Sequence, residues 1–172
     1  TAMEWQVRHD RERALQLAAG AWRLWFVTGQ LTDGARWVDS VLDLTRGAAS
    51  IDRVRALNGL AILHHAMATY ENAITRNEQS LALAERIGDQ RGIGDACNHN
   101  AGMVAMVTGD LDRAMALVDR ALDAYRHIDD RHGEAEALLN RAGLGTMQGR
   151  LPEALQDGLQ VLAYCRAEGK DV

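Results

Sequence analysis

Apolar residues recur along this chain every three to four positions, in blocks separated by short glycine-containing or acidic breaks. Leu57, Leu60, Ala61 and Leu63 form one such stripe, and Ala114, Leu117, Val118, Ala121 and Leu122 another. That period is the signature of amphipathic helices. It predicts helices over 11–28, 31–46, 51–67, 70–87, 91–108, 111–127, 131–148 and 151–168, with residues 2–9 as the end of a preceding helix.

The blocks are copies of one unit. Gly29, Ala68, Gly109 and Gly149 lie 39, 41 and 40 residues apart. Five residues after each comes Gly34, Ala73, Ala114 or Ala154, and thirteen after each comes Leu42, Leu81, Leu122 or Leu162. Seven before stand Trp22, Ala61, Gly102 and Ala142. Thr28-Gly29-Gln30-Leu31, Thr108-Gly109-Asp110-Leu111 and Gln148-Gly149-Arg150-Leu151 are versions of one turn, and Ala68-Thr69-Tyr70 is its degenerate copy. Each unit therefore reads as helix, tight turn, helix, with glycine supplying the backbone freedom of the turn. Asp33 and Asp110 stand where an acid favours a helix start, and Pro152 falls in a first turn that needs no N–H. Gly102 and Ala114 are expected at the close approach of one hairpin's two helices.

The small–x7–Gly–x5–Ala grammar resembles the tetratricopeptide repeat (TPR), whose usual period is about 34 residues. The resemblance implies an all-α, right-handed α-α superhelix, a solenoid of about four hairpins with a period near forty. The units fall at 11–50, 51–90, 91–130 and 131–170 of a single domain spanning 1–172. A narrower likeness lies in the first unit. Met3-Glu4-Trp5, Ala18-Ala19-Gly20-Ala21-Trp22-Arg23-Leu24-Trp25-Phe26 and Thr28-Gly29-Gln30-Leu31-Thr32-Asp33-Gly34-Ala35-Arg36-Trp37-Val38 are similar to the segment that follows the nucleotide-binding and winged-helix parts of large bacterial signal-transduction ATPases. Those proteins include LuxR-type and AfsR-like transcriptional regulators and some kinases and cyclases. This likeness implies a non-catalytic protein–protein or ligand-sensing module cut from a longer regulator. The alternative is a plain TPR scaffold in a kinase or cyclase, or a stand-alone adaptor without a small ligand.

By resemblance to the TPR, the concave groove is lined from positions 13, 10, 6, 3 and 2 before each turn anchor. The residues singled out there are Arg23, Phe26, Arg55, Asn58, His65, His99, Met103, Met106, Leu139 and Met147. The arginines, asparagine and histidines suit polar or acidic groups and peptide backbone. The methionines form an adaptable apolar floor. The partner this implies is a protein, an extended peptide or a neighbouring domain, with self-association as a further possibility.

Other chemistry is thin. The 172 residues carry a formal charge of -5, which gives no field for direct nucleic-acid binding. No G-x-x-x-x-G-K-[ST] loop occurs, so no nucleotide cofactor is expected. His64 and His65 project about 100° apart on a helix, so no metal site is expected. His64 is expected between helices and His65 toward the groove. Cys97 and Cys165 read as packing thiols of a reducing, cytoplasmic setting. Trp22 and Trp37 are expected to fill the first hairpin's core. The acidic run of Asp110, Asp112, Asp119, Asp123, Asp129 and Asp130 reads as a solvated helix face. No apolar run approaches a membrane span.

Overall fold

In the computed structural model, which describes residues 10–169, the chain is built from helices alone among the described residues. They are α1 (Arg11–Thr28), α2 (Leu31–Leu44), α3 (Ile51–Ala66), α4 (Tyr70–Ile87), α5 (Gln90–Thr108), α6 (Leu111–His127), α7 (Arg131–Met147) and α8 (Leu151–Ala167). These pair as four hairpins, as the spacing predicts, with ends shifted by no more than two residues. The helix expected at 2–9, and with it Met3, Glu4 and Trp5, lies outside the described residues.

The hairpin turns share one backbone device. Gly29, Gly109 and Gly149 hold φ of 73, 70 and 78°, and Ala68 holds φ 57°. The degenerate copy thus makes the same left-handed turn without a glycine. A second periodic left-handed position closes each outgoing helix: Gly47, Gly88, Asp129 and Gly169, with φ of 95, 73, 53 and 65°.

Side-chain caps start the first helix of every hairpin. Asp10 accepts from the Arg13 amide at 3.0 Å, Ser50 from Arg53 at 3.3 Å, Asp89 from Gly92 at 3.1 Å, and Asp130 from Gly133 at 3.0 Å. Each satisfies one of the amides a helix start leaves open. Asp110 caps α6 through the Arg113 amide at 2.9 Å, as expected, and Asp33 lies in the first turn of α2 beside Arg36.

The fold divides into two compact units, one ending at Gly92 and the other beginning at Ile93, with α5 continuous through the division. In the first unit, Leu57, Leu60, Leu63, Val38, Val41 and Val54 form a dry core. The α2–α3 joint is fastened by Arg53, whose Nη1 donates to the Leu42 carbonyl at 2.8 Å and the Thr45 carbonyl at 3.0 Å. These carbonyls close α2 and have no partner within the helix. Ser80 donates to the Val54 carbonyl at 3.1 Å and fixes the register of α3 on α4.

In the second unit, Tyr125 is the largest fully buried side chain. Its ring fills the hollows over Gly94 and Gly133, where an added Cβ would come within 3 Å of it. Its hydroxyl donates to Asp95 Oδ1 at 2.8 Å.

The close-packed glycines differ from the expected one. A Cβ on Gly102 would meet nothing within 4 Å, so Gly102 opposite Ala114 is not a point of close approach. Four of the tight sites are aromatic rings pressed on glycine, Trp25 on Gly34, Trp22 on Gly59 and Tyr125 on Gly94 and Gly133, and a fifth is Gly92, which Val54 and Asp89 approach. Of the two tryptophans expected to fill the first hairpin's core, Trp37 packs within that hairpin and Trp22 leaves it. Both are half-buried. Trp37 stacks obliquely on Trp25, centroids 5.2 Å apart, while Trp22 reaches Gly59 of the next hairpin.

Candidate interaction surface

The first helices of the hairpins carry the expected groove residues, and their exposure sorts them. In the first unit Arg23, Phe26, Arg55 and His65 are exposed. The Arg23 guanidinium carbon lies 4.5 Å from the Trp22 ring centroid, a cation–π stack that holds the cation at the surface. Phe26 meets the same indole edge-on at 6.4 Å, and His65 meets Tyr70 edge-on at 5.6 Å. This unit therefore offers oriented cations beside aromatic edges.

The surface of the second unit is more apolar. Met106, Leu139 and Met147 are 60, 55 and 62% exposed, and Val107 is 44% exposed. His99 is half-buried among them in sequence register.

Two expected groove residues face inward instead. Met103 is 1% and Asn58 6% exposed, so neither side chain lines an open surface. Asn58 lies one turn along α3 from Val54, and Asn77 nearly one turn back along α4 from Ser80, the residue bonded to Val54. The two amides thus share a level of the hairpin, and both are buried without a protein partner. Rank by repeat position does not separate these residues from their exposed neighbours.

His64 is half-buried, with Nδ1 2.9 Å from the Thr69 hydroxyl, which itself donates to the His64 carbonyl at 3.0 Å. Burial, then the nearby Arg76 cation, lowers its pKa below the ordinary histidine value. Cys97 is buried and Cys165 half-buried. Among the described residues no three His, Cys, Asp or Glu side chains group as a metal site, and no helix is long and apolar enough to cross a membrane.

A cleft of about 310 Å³ opens in the second unit, among α6, α7 and α8. Its wall is a charge cluster. Arg141 donates from Nε and Nη2 to the two oxygens of Asp157, at 2.8 and 2.7 Å, and from Nη1 to Asp119 at 3.2 Å. Asp157 is 5% exposed. The pairing holds the guanidinium even more firmly protonated than usual. With its nitrogens so engaged, Arg141 is a strut between helices. The sequence does signal it: the corresponding positions of the second and third hairpins carry Leu60 and Ala101, so a cation there breaks the repeat.

No family model matches the sequence. Over 154 residues the chain is 30% identical to proteins of Mycobacterium tuberculosis and Mycobacterium bovis that bear the name "Putative HTH-type transcriptional regulator". The match covers 83% of this chain but only 17% of each of those relatives. Among solved structures, BtubC from P. vanneervenii superposes with a TM-score of 0.79 at 14% identity, over 95% of this chain and 67% of that one. Aspartyl phosphate phosphatase F from Bacillus subtilis follows at 0.78 and 14%, over 93% and 42%. The "putative kinesin light chain nearly identical TPR-like repeats" of Podosopora anserina give 0.72 and 15%, over 97% and 83%. At such identities the likeness shows the fold. The chain has the all-α architecture of TPR-like helical-hairpin solenoids, with four hairpins of about forty residues.

Proposed function

We propose that this chain is a non-catalytic protein-binding module of a bacterial HTH-type transcriptional regulator, working in the cytoplasm. The observation that carries this reading is the 30% identity to the mycobacterial regulators, spread over 154 residues and so over most of the repeat array. The first-unit aromatic string from Trp22 to Trp37 supports the narrower assignment to regulators of the LuxR type, in which ATP and DNA are handled elsewhere in the protein.

The surface chemistry supports a peptide or protein partner. Arg23 and Arg55 offer cations to carboxylates or peptide carbonyls, and Met106, Leu139 and Met147 offer deformable apolar contact. Binding there would act by differential affinity, stabilising one arrangement of the regulator over another.

The test is peptide selection on the purified chain, followed by titration calorimetry of the selected sequences. Arg55→Ala and Met106→Asp should each weaken binding by about tenfold, the loss of roughly 1.4 kcal/mol, while the melting temperature stays put. Duplex DNA should not bind at physiological salt. Peptide binding indifferent to both substitutions, or tight DNA binding, would sink the proposal.

A further inference from the structure

The joint between the first two hairpins carries an ion pair with a histidine beside it. Asp39 of α2 accepts from Arg76 Nη2 of α4 at 2.7 Å, which ties together the second helices of successive hairpins. In a repeat array each hairpin is set by its neighbours, so a bond at this joint bears on the tilt of one hairpin against the next. Arg76 has a second hold within its own helix, where Nη1 donates to Gln79 Oε1 at 3.1 Å.

His64 of α3 interacts with both charges, and with the Arg76 cation more strongly than with the Asp39 carboxylate. Its rank in the repeat is held by Trp25, Ala105 and Gly145 in the other hairpins, so a titratable side chain occurs there only in the second. Thr69 is equally particular to this hairpin, since its counterparts are Gln30, Asp110 and Arg150.

Together His64 and Thr69 pin a half-buried ring. The Thr69 hydroxyl gives its one hydrogen to the His64 carbonyl at 3.0 Å, so across the 2.9 Å to Nδ1 it accepts. The neutral ring therefore carries its proton on Nδ1, and Nε2 is the nitrogen left to take a second one. A ring fastened to the turn through Nδ1 is not free to swing away from Arg76 when that happens.

We propose that His64 is an acid-sensitive release for this joint. Protonation at Nε2 sets a pinned cation against the Arg76 guanidinium. Arg76 then leaves Asp39 and keeps only Gln79 of its own helix, which frees α4 from α2. Burial, and after it Arg76, holds the folded imidazole below the ordinary value near 6.5. The stability that the neutral ring contributes is thus complete above about pH 6.5 and is lost as pH falls through the lower folded midpoint. The inference stands apart from the regulator proposal and needs no ligand.

Nuclear magnetic resonance of the whole chain from pH 8 to pH 5 tests it, through the ring signals of His64 and the guanidinium N–H signals of Arg76. The neutral His64 ring should show the Nδ1–H tautomer and titrate with a midpoint below about 6.5. The Arg76 signals should lose the marks of a held guanidinium at that same midpoint. His64→Gln keeps an amide that can donate to Thr69, and it should leave Arg76 on Asp39 over the whole range. The melting temperature of the parent should fall more between pH 7.5 and pH 5.5 than that of His64→Gln. Arg76→Gln, at a half-exposed site, removes the opposing cation and should move the His64 midpoint upward. Three results would overturn the inference: an Arg76 that stays on Asp39 while His64 titrates, a release of Arg76 that persists in His64→Gln, or a His64 midpoint that Arg76→Gln leaves unmoved.

Discussion

Arg141 grips Asp157 through two parallel hydrogen bonds, Nε to Oδ2 at 2.8 Å and Nη2 to Oδ1 at 2.7 Å, and so ties α7 to α8 through a carboxylate that is nearly inaccessible. A bidentate pair of this kind is stiff as well as strong. Its value is asymmetric: removing one partner strands the other's charge in a poorly solvated place. Arg141→Met should cost about 3 kcal/mol of folding stability, read from urea unfolding. The double variant with Asp157→Leu should recover most of that loss, since an apolar pair leaves no charge behind. If the double variant is no better than the single one, the pair's contribution is not the burial of charge described here.

Ala68 makes, with a Cβ, the turn that its three counterparts make with glycine. An L-residue in the left-handed region carries roughly 1–2 kcal/mol of strain, offset in part by the greater freedom glycine has when unfolded. Ala68→Gly should therefore stabilise the protein by about 0.5–1 kcal/mol. Gly109→Ala should destabilise it by a similar amount. Matched chemical denaturation of the two variants checks both signs, and a neutral Ala68→Gly would mean that the turn relaxes around its methyl group.

These two cases mark how much of the molecule is legible in the chain. Repeat spacing gave the eight helices and the four turns, because each turn needs a positive φ and each helix a 3.6-residue stripe. It missed the cap series Asp10, Ser50, Asp89 and Asp130, which recurs at intervals of 40, 39 and 41 residues and could have been counted in the same way. Repeat position alone failed where a large ring decides the packing. Gly59 and Gly133 are hollows for Trp22 and Tyr125, whereas Gly102, which looks equally constrained by rank, lies open. It failed likewise for Asn58 and Met103, which hold groove ranks and yet are 6 and 1% exposed.

Tyr125 should make stability fall in alkali. Burial raises its pKa well above the ordinary tyrosine value, and the neighbouring Asp95 carboxylate, which accepts the hydroxyl's hydrogen bond, raises it further. The unfolded chain releases that proton near pH 10, while the folded chain keeps it. Above about pH 10 the native state thus binds more protons than the unfolded state, and stability drops with rising pH at up to about 1.4 kcal/mol per pH unit. Below that pH the contribution is fully present. Tyr125→Phe should abolish this part of the slope and cost about 1–2 kcal/mol at neutral pH for the lost hydrogen bond. Ultraviolet titration supplies the second measurement: of the three tyrosines, Tyr125 should ionise only with unfolding.

Gly59 provides the sharpest steric prediction. It is buried in the middle of α3, where glycine by itself weakens a helix, and alanine would normally be worth about 1 kcal/mol in its favour. Here the added methyl group would sit within 3 Å of the Trp22 indole. That ring is pinned by more than the glycine, with the Arg23 guanidinium stacked on it at 4.5 Å and Phe26 against it edge-on at 6.4 Å. Moving it means disturbing both neighbours, and overpacking of this kind costs roughly 1–3 kcal/mol. Gly59→Ala should therefore lower the melting temperature despite its better helix propensity. Pairing it with Trp22→Ala, which returns the first unit to the small residue found at this position in the other hairpins, should turn the alanine from harmful to favourable. A Gly59→Ala variant as stable as the parent in the presence of Trp22 would show that the indole is free to swing aside, and that the packing of α1 on α3 is looser than the ring-on-glycine contact implies.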